Sequence, residues 1–215
     1  AAAAALVTDG TPDDPDYRTL FPGGTFTSVA VEDGTIVATA ADRSWQTPGT
    51  LTEDEGALAV QQLVYTLQGV LQQRLPLEVR VDGQADFLFG FDTAGGATNA
   101  AALKTLGLVN ITSPEEGAQV GDTLTASGVA SSFEATVPWR ILDADGTAVL
   151  TGSATADGWV DKLYPWRTDI DVSSLPAGSY VFEASTDDPS SGEGPGPTTD
   201  TKDFTVDRKS TRLNS

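Results

Sequence analysis

The chain has 215 residues, and 12 Lys and Arg against 31 Asp and Glu give it a net charge of −19. An acidic surface of this kind repels phosphate backbones and anionic lipid, so nucleic-acid binding is disfavoured. The absence of Cys and His excludes thiol nucleophiles, histidine-based triads, disulfides and the usual zinc and haem ligands.

The first half of the chain alternates helix and strand signals. Residues 1–8 suit the last turns of a helix, and strand-like runs at 26–31 and 35–41 flank Asp33-Gly34, a strong hairpin signal. Residues 52–73 predict a long helix, because Thr52 and Glu55 form a capping-box pattern and apolar residues recur at helical spacing. A strand at 77–81 follows, so this half is predicted to be an α+β layer pair in the order αββαβ.

The second half reads as short strands separated by turns. Seven strand candidates are found at residues 108–112, 123–130, 135–142, 148–154, 164–172, 179–185 and 202–206. About a hundred residues in seven short strands is the size of an immunoglobulin-like β-sandwich. The large aromatic side chains predicted to fill its core are Trp139, Trp159, Trp166, Tyr180 and Phe182.

Two family resemblances follow from these residues. The segment Ile-Thr-Ser-Pro-Glu-Glu-Gly-Ala-Gln-Val at 111–120, with Ala-Ser-Gly-Val-Ala at 126–130, resembles the start of the immunoglobulin-like domain of bacterial spore germination proteins. The first half resembles the GerMN domain of sporulation and germination proteins in its Pro-Gly-Gly-Thr at 22–25, Asp33-Gly34, Tyr-Thr-Leu at 65–67 and Val-Asp-Gly at 81–83. That family's opening strand and most of its first helix have no counterpart here, so we expect the sequence to begin inside the domain.

The expected domains are therefore a GerMN-like α+β domain at 1–92, a linker at 93–107, an immunoglobulin-like sandwich at 108–206 and a non-native tail at 207–215. The tail, Asp-Arg-Lys-Ser-Thr-Arg-Leu-Asn-Ser, resembles the in-frame translation of a sequencing adapter. No run of about 18 apolar residues is present, so no membrane-spanning helix is predicted.

Two groups of residues are candidates for binding. Asp187, Asp188, Glu193 and Asp200 lie in a loop rich in Gly and Pro, where carboxylates can hold Ca²⁺ or simply form a solvated connection. Trp139-Arg140 and Trp166-Arg167 place residue types that often anchor partner surfaces on two strands. Neighbouring residues of a strand face opposite sides, so one member of each pair faces the core and the other faces outward.

The expected function is that of a non-catalytic, extracytoplasmic module of a bacterial cell-envelope protein, with no catalytic residue and no required cofactor. The resemblance implies self-association or docking on a protein partner, and membrane attachment through a lipoprotein-type anchor upstream of the sequence. The alternative is a ligand-binding module for cell-wall glycan or calcium. An enzyme is disfavoured, because the residue inventory removes most nucleophiles and bases.

Overall fold

The computed structural model describes residues 2–188 and 196–208, and residue contacts divide the chain into two units, Ala1–Thr105 and Leu106–Ser215. The first unit is α+β and the second is an all-β sandwich, which confirms the predicted fold class. Among the described residues, no helix combines the length and the apolar character needed to cross a membrane.

The described part of the first unit contains the elements α1 (Ala2–Asp9), β1 (Phe26–Glu32), β2 (Thr35–Ala40), α2 (Glu53–Leu71), β3 (Leu77–Val81), β4 (Gln84–Ala85), β5 (Phe87–Leu88), β6 (Phe91–Asp92) and α3 (Ala102–Thr105). Strands β1 to β4 form one sheet in chain order, in which only the β2–β3 pairing is parallel. Parallel neighbours need a crossover connection, and α2 supplies it. Residues 93–97 also pack in this unit, because Ala97 bridges to Leu77.

Helix α2 forms where the sequence predicts it. The capping box is present, since the Thr52 hydroxyl accepts from the Glu55 amide at 3.2 Å and the Glu55 carboxylate accepts from the Thr52 amide at 3.0 Å. The predicted apolar stripe is buried from Val60 to Leu67. The helix ends at Leu71, two residues before the predicted end, and its C-cap Gln72 has a left-handed φ of 54°. The stripe packs in the same core as the helix-facing side of β2 and β3.

Replacing Thr52 with Ala is expected to lower the free energy of unfolding by about 1 kcal/mol, because the amide of Glu55 loses its acceptor. Thr52→Ser keeps the hydroxyl and should cost little. Urea unfolding of the full chain followed by circular dichroism measures both variants. Equal stability of the wild type and Thr52→Ala would show that the cap contributes nothing.

The same cap makes the stability of α2 depend on pH. The hydrogen bonds from the Thr52 amide and hydroxyl lower the pKa of Glu55 below its usual value. The carboxylate therefore stabilises the folded state fully above the pKa of an unfolded Glu, and this contribution is lost as the pH falls through the folded value. Glu55→Gln should therefore have a lower melting temperature than the wild type at neutral pH, and the two melting temperatures should converge in acid. Thermal unfolding at several pH values measures both.

An aromatic cluster closes one end of the first unit. Trp45 is buried, and its indole Nε1 donates to the carbonyl of Gly23 at 2.9 Å. Its ring packs edge-on against Phe21, with the ring centroids 5.2 Å apart. Gly24 has a φ of 111°, and a Cβ there would lie 2.5 Å from the Trp45 ring, so the turn requires glycine.

The described part of the second unit contains the strands β7 (Val109–Ser113), β8 (Ala118–Val120), β9 (Thr123–Ala130), β10 (Thr136–Leu142), β11 (Ala148–Thr155), β12 (Tyr164–Asp171), β13 (Gly178–Ser185) and β14 (Thr199–Val206). One sheet has the order β11-β10-β13-β14-β8 and the other the order β12-β9-β7. Their facing sides share one apolar core that includes Phe182 and Phe204. The sequence interpretation missed β8, a short strand that pairs in parallel with β14.

Candidate functional site

The two Trp-Arg pairs divide between the core and the surface of the sandwich. Trp166 is only 3% exposed and Trp139 is partly buried against the same core, whereas Arg140 and Arg167 are exposed. Trp166 therefore cannot serve as the partner anchor considered from the sequence. The alternation of a strand explains the division, because a Trp that faces the core forces the next residue outward.

Both arginines face carboxylates on the outer surface. Arg140 binds Glu183 with two hydrogen bonds of 2.6 and 3.1 Å, and these bonds raise the pKa of its guanidinium. Arg167 lies 3.6 Å from a carboxylate oxygen of Asp169, and both side chains are largely exposed. Exposed pairs contribute about 0–1 kcal/mol each. Neither ion pair is therefore expected to contribute much to the stability of the sandwich.

A groove of about 390 Å³ lies beside Arg140 on the five-stranded sheet, lined among others by Pro138, Trp139, Glu183 and Thr199. Gly152 lets the Trp139 ring approach the backbone, since a Cβ at this position would lie 2.3 Å from Trp139 Cζ2. The groove thus combines apolar surface with a fixed ion pair.

The acidic candidates of the 187–200 loop do not form a common site in the described residues. The Asp187 amide donates to the Ser132 hydroxyl at 2.7 Å, while Asp200 is turned into the sandwich and is only 4% exposed. Glu193 lies outside the described residues. Within the ranges 2–188 and 196–208, no three acidic side chains are grouped so that they could hold a metal ion.

Asp200 instead joins the two sheets. One of its carboxylate oxygens accepts from the amide of Ile111 on β7 at 2.5 Å, and the other accepts from the Thr201 amide at 3.2 Å. Lys202, on the same face of β14, is also buried, and burial lowers the pKa of its ammonium group. Ile111 lies 89 residues away in the chain, so Asp200 fixes a long-range contact at the edge of the sandwich.

Replacing Asp200 with Ala is expected to lower the free energy of unfolding by about 2 kcal/mol, because the buried Ile111 amide loses its acceptor. Asp200→Asn keeps one carbonyl oxygen and should lose less. Calorimetry of the full chain measures both, with and without added Ca²⁺. A Ca²⁺-dependent rise in melting temperature that Asp200→Asn abolishes would contradict the structural role.

A surface aromatic patch lies at one end of the sandwich, formed by Phe133, Trp159 and Val160. Phe133 belongs to a 3-10 turn between β9 and β10, and Trp159 and Val160 belong to the β11–β12 connection. The three side chains are 40%, 42% and 63% exposed. The rings of Phe133 and Trp159 meet edge to face, with centroids 5.1 Å apart. Trp159 is therefore not the core residue expected from the sequence.

The backbone around the patch is held in sparsely populated conformations. Val160 has a φ of 80° and Glu134 a φ of 50°, and a β-branched residue in the left-handed region is rare. Such conformations cost about 1–3 kcal/mol each and are concentrated at functional sites. The patch thus lies on turns that contain residues in the left-handed region.

Tyr164 packs against the β11–β12 connection, which carries Trp159 and Val160. A Cβ at Gly158 would lie 2.6 Å from the Tyr164 ring, so glycine lets the connection close on the ring. The Tyr164 hydroxyl donates to Asp161 at 2.8 Å, and this hydrogen bond raises the pKa of the phenol. Lys162 places its Nζ 4.7 Å from the centre of the same ring. The connection 157–164 is therefore anchored by a single aromatic residue.

Sequence reasoning missed this patch, although one signal pointed to it. Trp159 directly follows the turn dipeptide Asp157-Gly158, and a residue next to a turn lies at the end of a sheet, where burial is incomplete. Phe133 gave no such signal, because its partner is 26 residues away in the chain and the contact is purely tertiary.

The second unit is similar to a known family of domains. Residues 108–193 match the family model of Gmad2, the immunoglobulin-like domain of bacterial spore germination. The Gmad2 match covers β7 to β13, both Trp-Arg pairs and the aromatic patch. It supports a germination-type module and bears out the resemblance stated for this half of the chain. No curated protein matches the chain.

Solved structures give weaker similarities. The endo-β-1,4-mannanase of Thermotoga petrophila is 13% identical with a TM-score of 0.36, covering 48% of this chain and 20% of its own. An engineered protein is 16% identical with a TM-score of 0.37 and coverages of 70% and 36%. CopC from Methylosinus trichosporium OB3b is 23% identical with a TM-score of 0.31 and coverages of 47% and 94%. The chain thus spans about a fifth and a third of the first two proteins, and none of these scores establishes a shared fold.

Proposed function

We propose that this chain is a non-catalytic module of a bacterial cell-envelope protein that mediates protein–protein assembly in a sporulation- or germination-type system. The observation that carries the proposal is the aromatic patch of Phe133, Trp159 and Val160. Trp and other aromatic side chains dominate the binding energy of protein interfaces, and a contiguous exposed apolar cluster marks such a surface. The Gmad2 match supports an extracytoplasmic envelope location.

A protein partner suits the patch better than a small ligand does. Pockets for small ligands are concave and enclose most of the ligand, whereas the three side chains expose roughly half of their surface from turns at the end of the domain. The patch therefore offers an exposed apolar anchor.

The proposal also assigns roles to the first unit and to the tail at residues 207–215. The first unit acts as a GerMN-type domain that precedes the sandwich in the chain, in a protein held at the membrane by a lipoprotein-type anchor. Residues 207–215 are a translated sequencing adapter and carry no function. Removal of residues 209–215 is then expected to leave binding unchanged.

Replacing Phe133 and Trp159 together with Ala tests the assembly role. The full chain, immobilised, is exposed to the solubilised envelope fraction of a spore-forming bacterium, and the retained proteins are quantified and cross-linked. Retention of a defined partner, with cross-links at positions 133 and 159, is expected to fall at least tenfold in the double variant, which corresponds to about 1.4 kcal/mol. Val149→Ala, an exposed apolar change on β11, is the matched control.

Equal retention of the partner by the wild type and the double variant would show that the patch is not part of the assembly surface. A strictly monomeric protein that retains no partner in light scattering and capture would refute the assembly role itself.

A second candidate function is binding of cell-wall glycan, favoured by the groove beside Trp139, Arg140 and Glu183. Calorimetry with soluble peptidoglycan fragments and separately with Ca²⁺ distinguishes this candidate, because only ligand binding predicts heat on titration. Glu183→Gln, which weakens the ion pair in the groove, is expected to reduce that heat.

A further inference from the structure

Strand β1 is an edge strand with outward-facing hydrogen-bonding groups. The hairpin register pairs Glu32 with Thr35 across Asp33-Gly34, and residues of an antiparallel ladder alternate between bonded and non-bonded pairs. Val31 and Val29 therefore belong to non-bonded pairs with β2. In agreement, the amide of Ile36, which faces Val31, donates instead to Pro76 at 2.8 Å. The amides and carbonyls of Val29 and Val31 thus point to the outer edge of the sheet, where no described strand pairs with β1.

The same two valines line an apolar groove. Their side chains lie on the face of the sheet that Ile36 and Ala38 share, which is the face covered by the helices. The groove has a volume of about 390 Å³ and is continued by Leu67, Val70 and Leu71 of α2. Val31 is 49% exposed and Val70 is 66% exposed. Apolar surface and unpaired backbone groups therefore occur together along this edge.

This edge lacks the usual protection against pairing. Natural edge strands are shielded by Lys, Pro, bulges or inward charges. Residues 28–31 read Ser-Val-Ala-Val, and the irregularity of β1 lies before them, between Phe26 and Ser28. Glu32, the only charged residue of the strand, pairs with Arg80, whose Nη1 lies 2.7 Å from a Glu32 carboxylate oxygen and whose Nε lies 2.5 Å from Glu78. The charge of Glu32 is therefore partly compensated, and residues 26–31 of the strand carry no charge.

We propose that β1 pairs antiparallel with β1 of a second copy of this chain, about a two-fold axis at Ala30. This register places Val29 opposite Val31 of the second copy and satisfies the outward amides and carbonyls of both copies. It also places Glu32 opposite Ser28, so no two carboxylates face each other across the axis. The exposed Ala30 side chains meet at the axis on the open face of the sheet, where their small size allows close approach.

This inference rests on the proposed assembly role and names one of its partners, through a surface that is separate from the aromatic patch. The pairing extends the sheet and joins the apolar grooves of the two copies. Because each copy carries a large negative charge, added salt is expected to tighten the dimer by screening the repulsion.

Sedimentation velocity of the full chain at several concentrations tests the pairing. The wild type is expected to form dimers. Ala30→Lys and Ala30→Glu are each expected to raise the dissociation constant at least tenfold, because like charges meet at the axis. An equimolar mixture of the two variants should restore dimers, since Lys and Glu then face each other. Only an axis that brings position 30 of both copies together predicts this recovery.

A backbone variant provides an independent check. Val31→Pro removes an outward amide without removing a β1–β2 hydrogen bond, and Pro is tolerated at such edge positions. It should abolish dimers, whereas Val31→Thr, which keeps the amide, should retain them. Circular dichroism confirms that each variant is folded.

A wild type that is monomeric at every concentration, dimers that Ala30→Lys and Val31→Pro leave unchanged, or a mixture that stays monomeric would each overturn the pairing. None of these variants alters Phe133 or Trp159. A monomeric wild type that still retains a partner through the aromatic patch would therefore refute the pairing and leave the proposed function intact.

Discussion

Replacing Trp166 with Ala is expected to lower the free energy of unfolding of the sandwich by about 3–5 kcal/mol, because it leaves a large cavity in the core. Trp166 is almost fully buried on β12, and its ring lies 6.5 Å from that of Phe182 on the opposing sheet. The side chain thus packs between the two sheets in a sandwich that holds no disulfide. Calorimetry of the full chain gives the loss as a fall in the melting temperature of the sandwich.

Two other Trp variants make this prediction specific. Trp159→Ala removes an exposed ring that packs mainly on Phe133, and should cost only about 1 kcal/mol. Trp166→Phe keeps most of the packing and removes a buried indole Nε1 without a partner among the described atoms, so it should lose much less than the Ala variant. Similar losses for Trp159→Ala and Trp166→Ala would contradict the assignment of one to the surface and the other to the core.

Replacing Gly128 with Ala is expected to destabilise the sandwich by about 3 kcal/mol, since the added methyl group overpacks β7 against β9. A Cβ at position 128 would lie 1.9 Å from the carbonyl oxygen of Asn110 and 2.9 Å from its carbonyl carbon. Gly128 faces Ile111 at the point where the β7–β9 register shifts. The neighbouring backbone has to move to admit any side chain.

The predicted loss of stability distinguishes Gly128 from most glycines in strands. Gly→Ala within a strand is normally neutral or stabilising, because alanine restricts the unfolded chain. Gly121→Ala is the control: no atom lies within 4 Å of its added Cβ, and the change should stay within about 0.5 kcal/mol of the wild type. Urea unfolding of the full chain measures both. A Gly128→Ala variant as stable as Gly121→Ala would show that β7 can retreat from β9 without cost.

Much of the fold could be predicted because its signals are local. The Asp33-Gly34 hairpin, the capped helix α2 and the seven predicted strands depend on residues within a few positions of one another. Strand β8 escaped prediction because three residues carry too little periodicity, and its parallel pairing with β14 joins residues more than 80 positions apart.

The candidate site was much less predictable. Trp139, Trp159 and Trp166 are chemically equivalent in the sequence, and the strand alternation only requires that one member of each Trp-Arg pair faces inward. Asp200 likewise belongs to an acidic loop in the sequence, and only the tertiary structure shows that its carboxylate accepts a hydrogen bond from the Ile111 amide. The burial of each Trp and the contact of Asp200 depend on how the strands of the two sheets face each other across the sandwich.

The sequence by itself determined the two kinds of architecture, the resemblance of the second half to a germination-type domain and the lack of cysteine and histidine chemistry, because composition, turn residues and periodicity act over short stretches of chain. Only the tertiary structure decided that Trp166 is a core residue, that Phe133 and Trp159 share a surface, and that β1 is a free edge. These properties arise when residues distant in the chain are packed together, since burial and strand order depend on the whole set of contacts and not on any one segment.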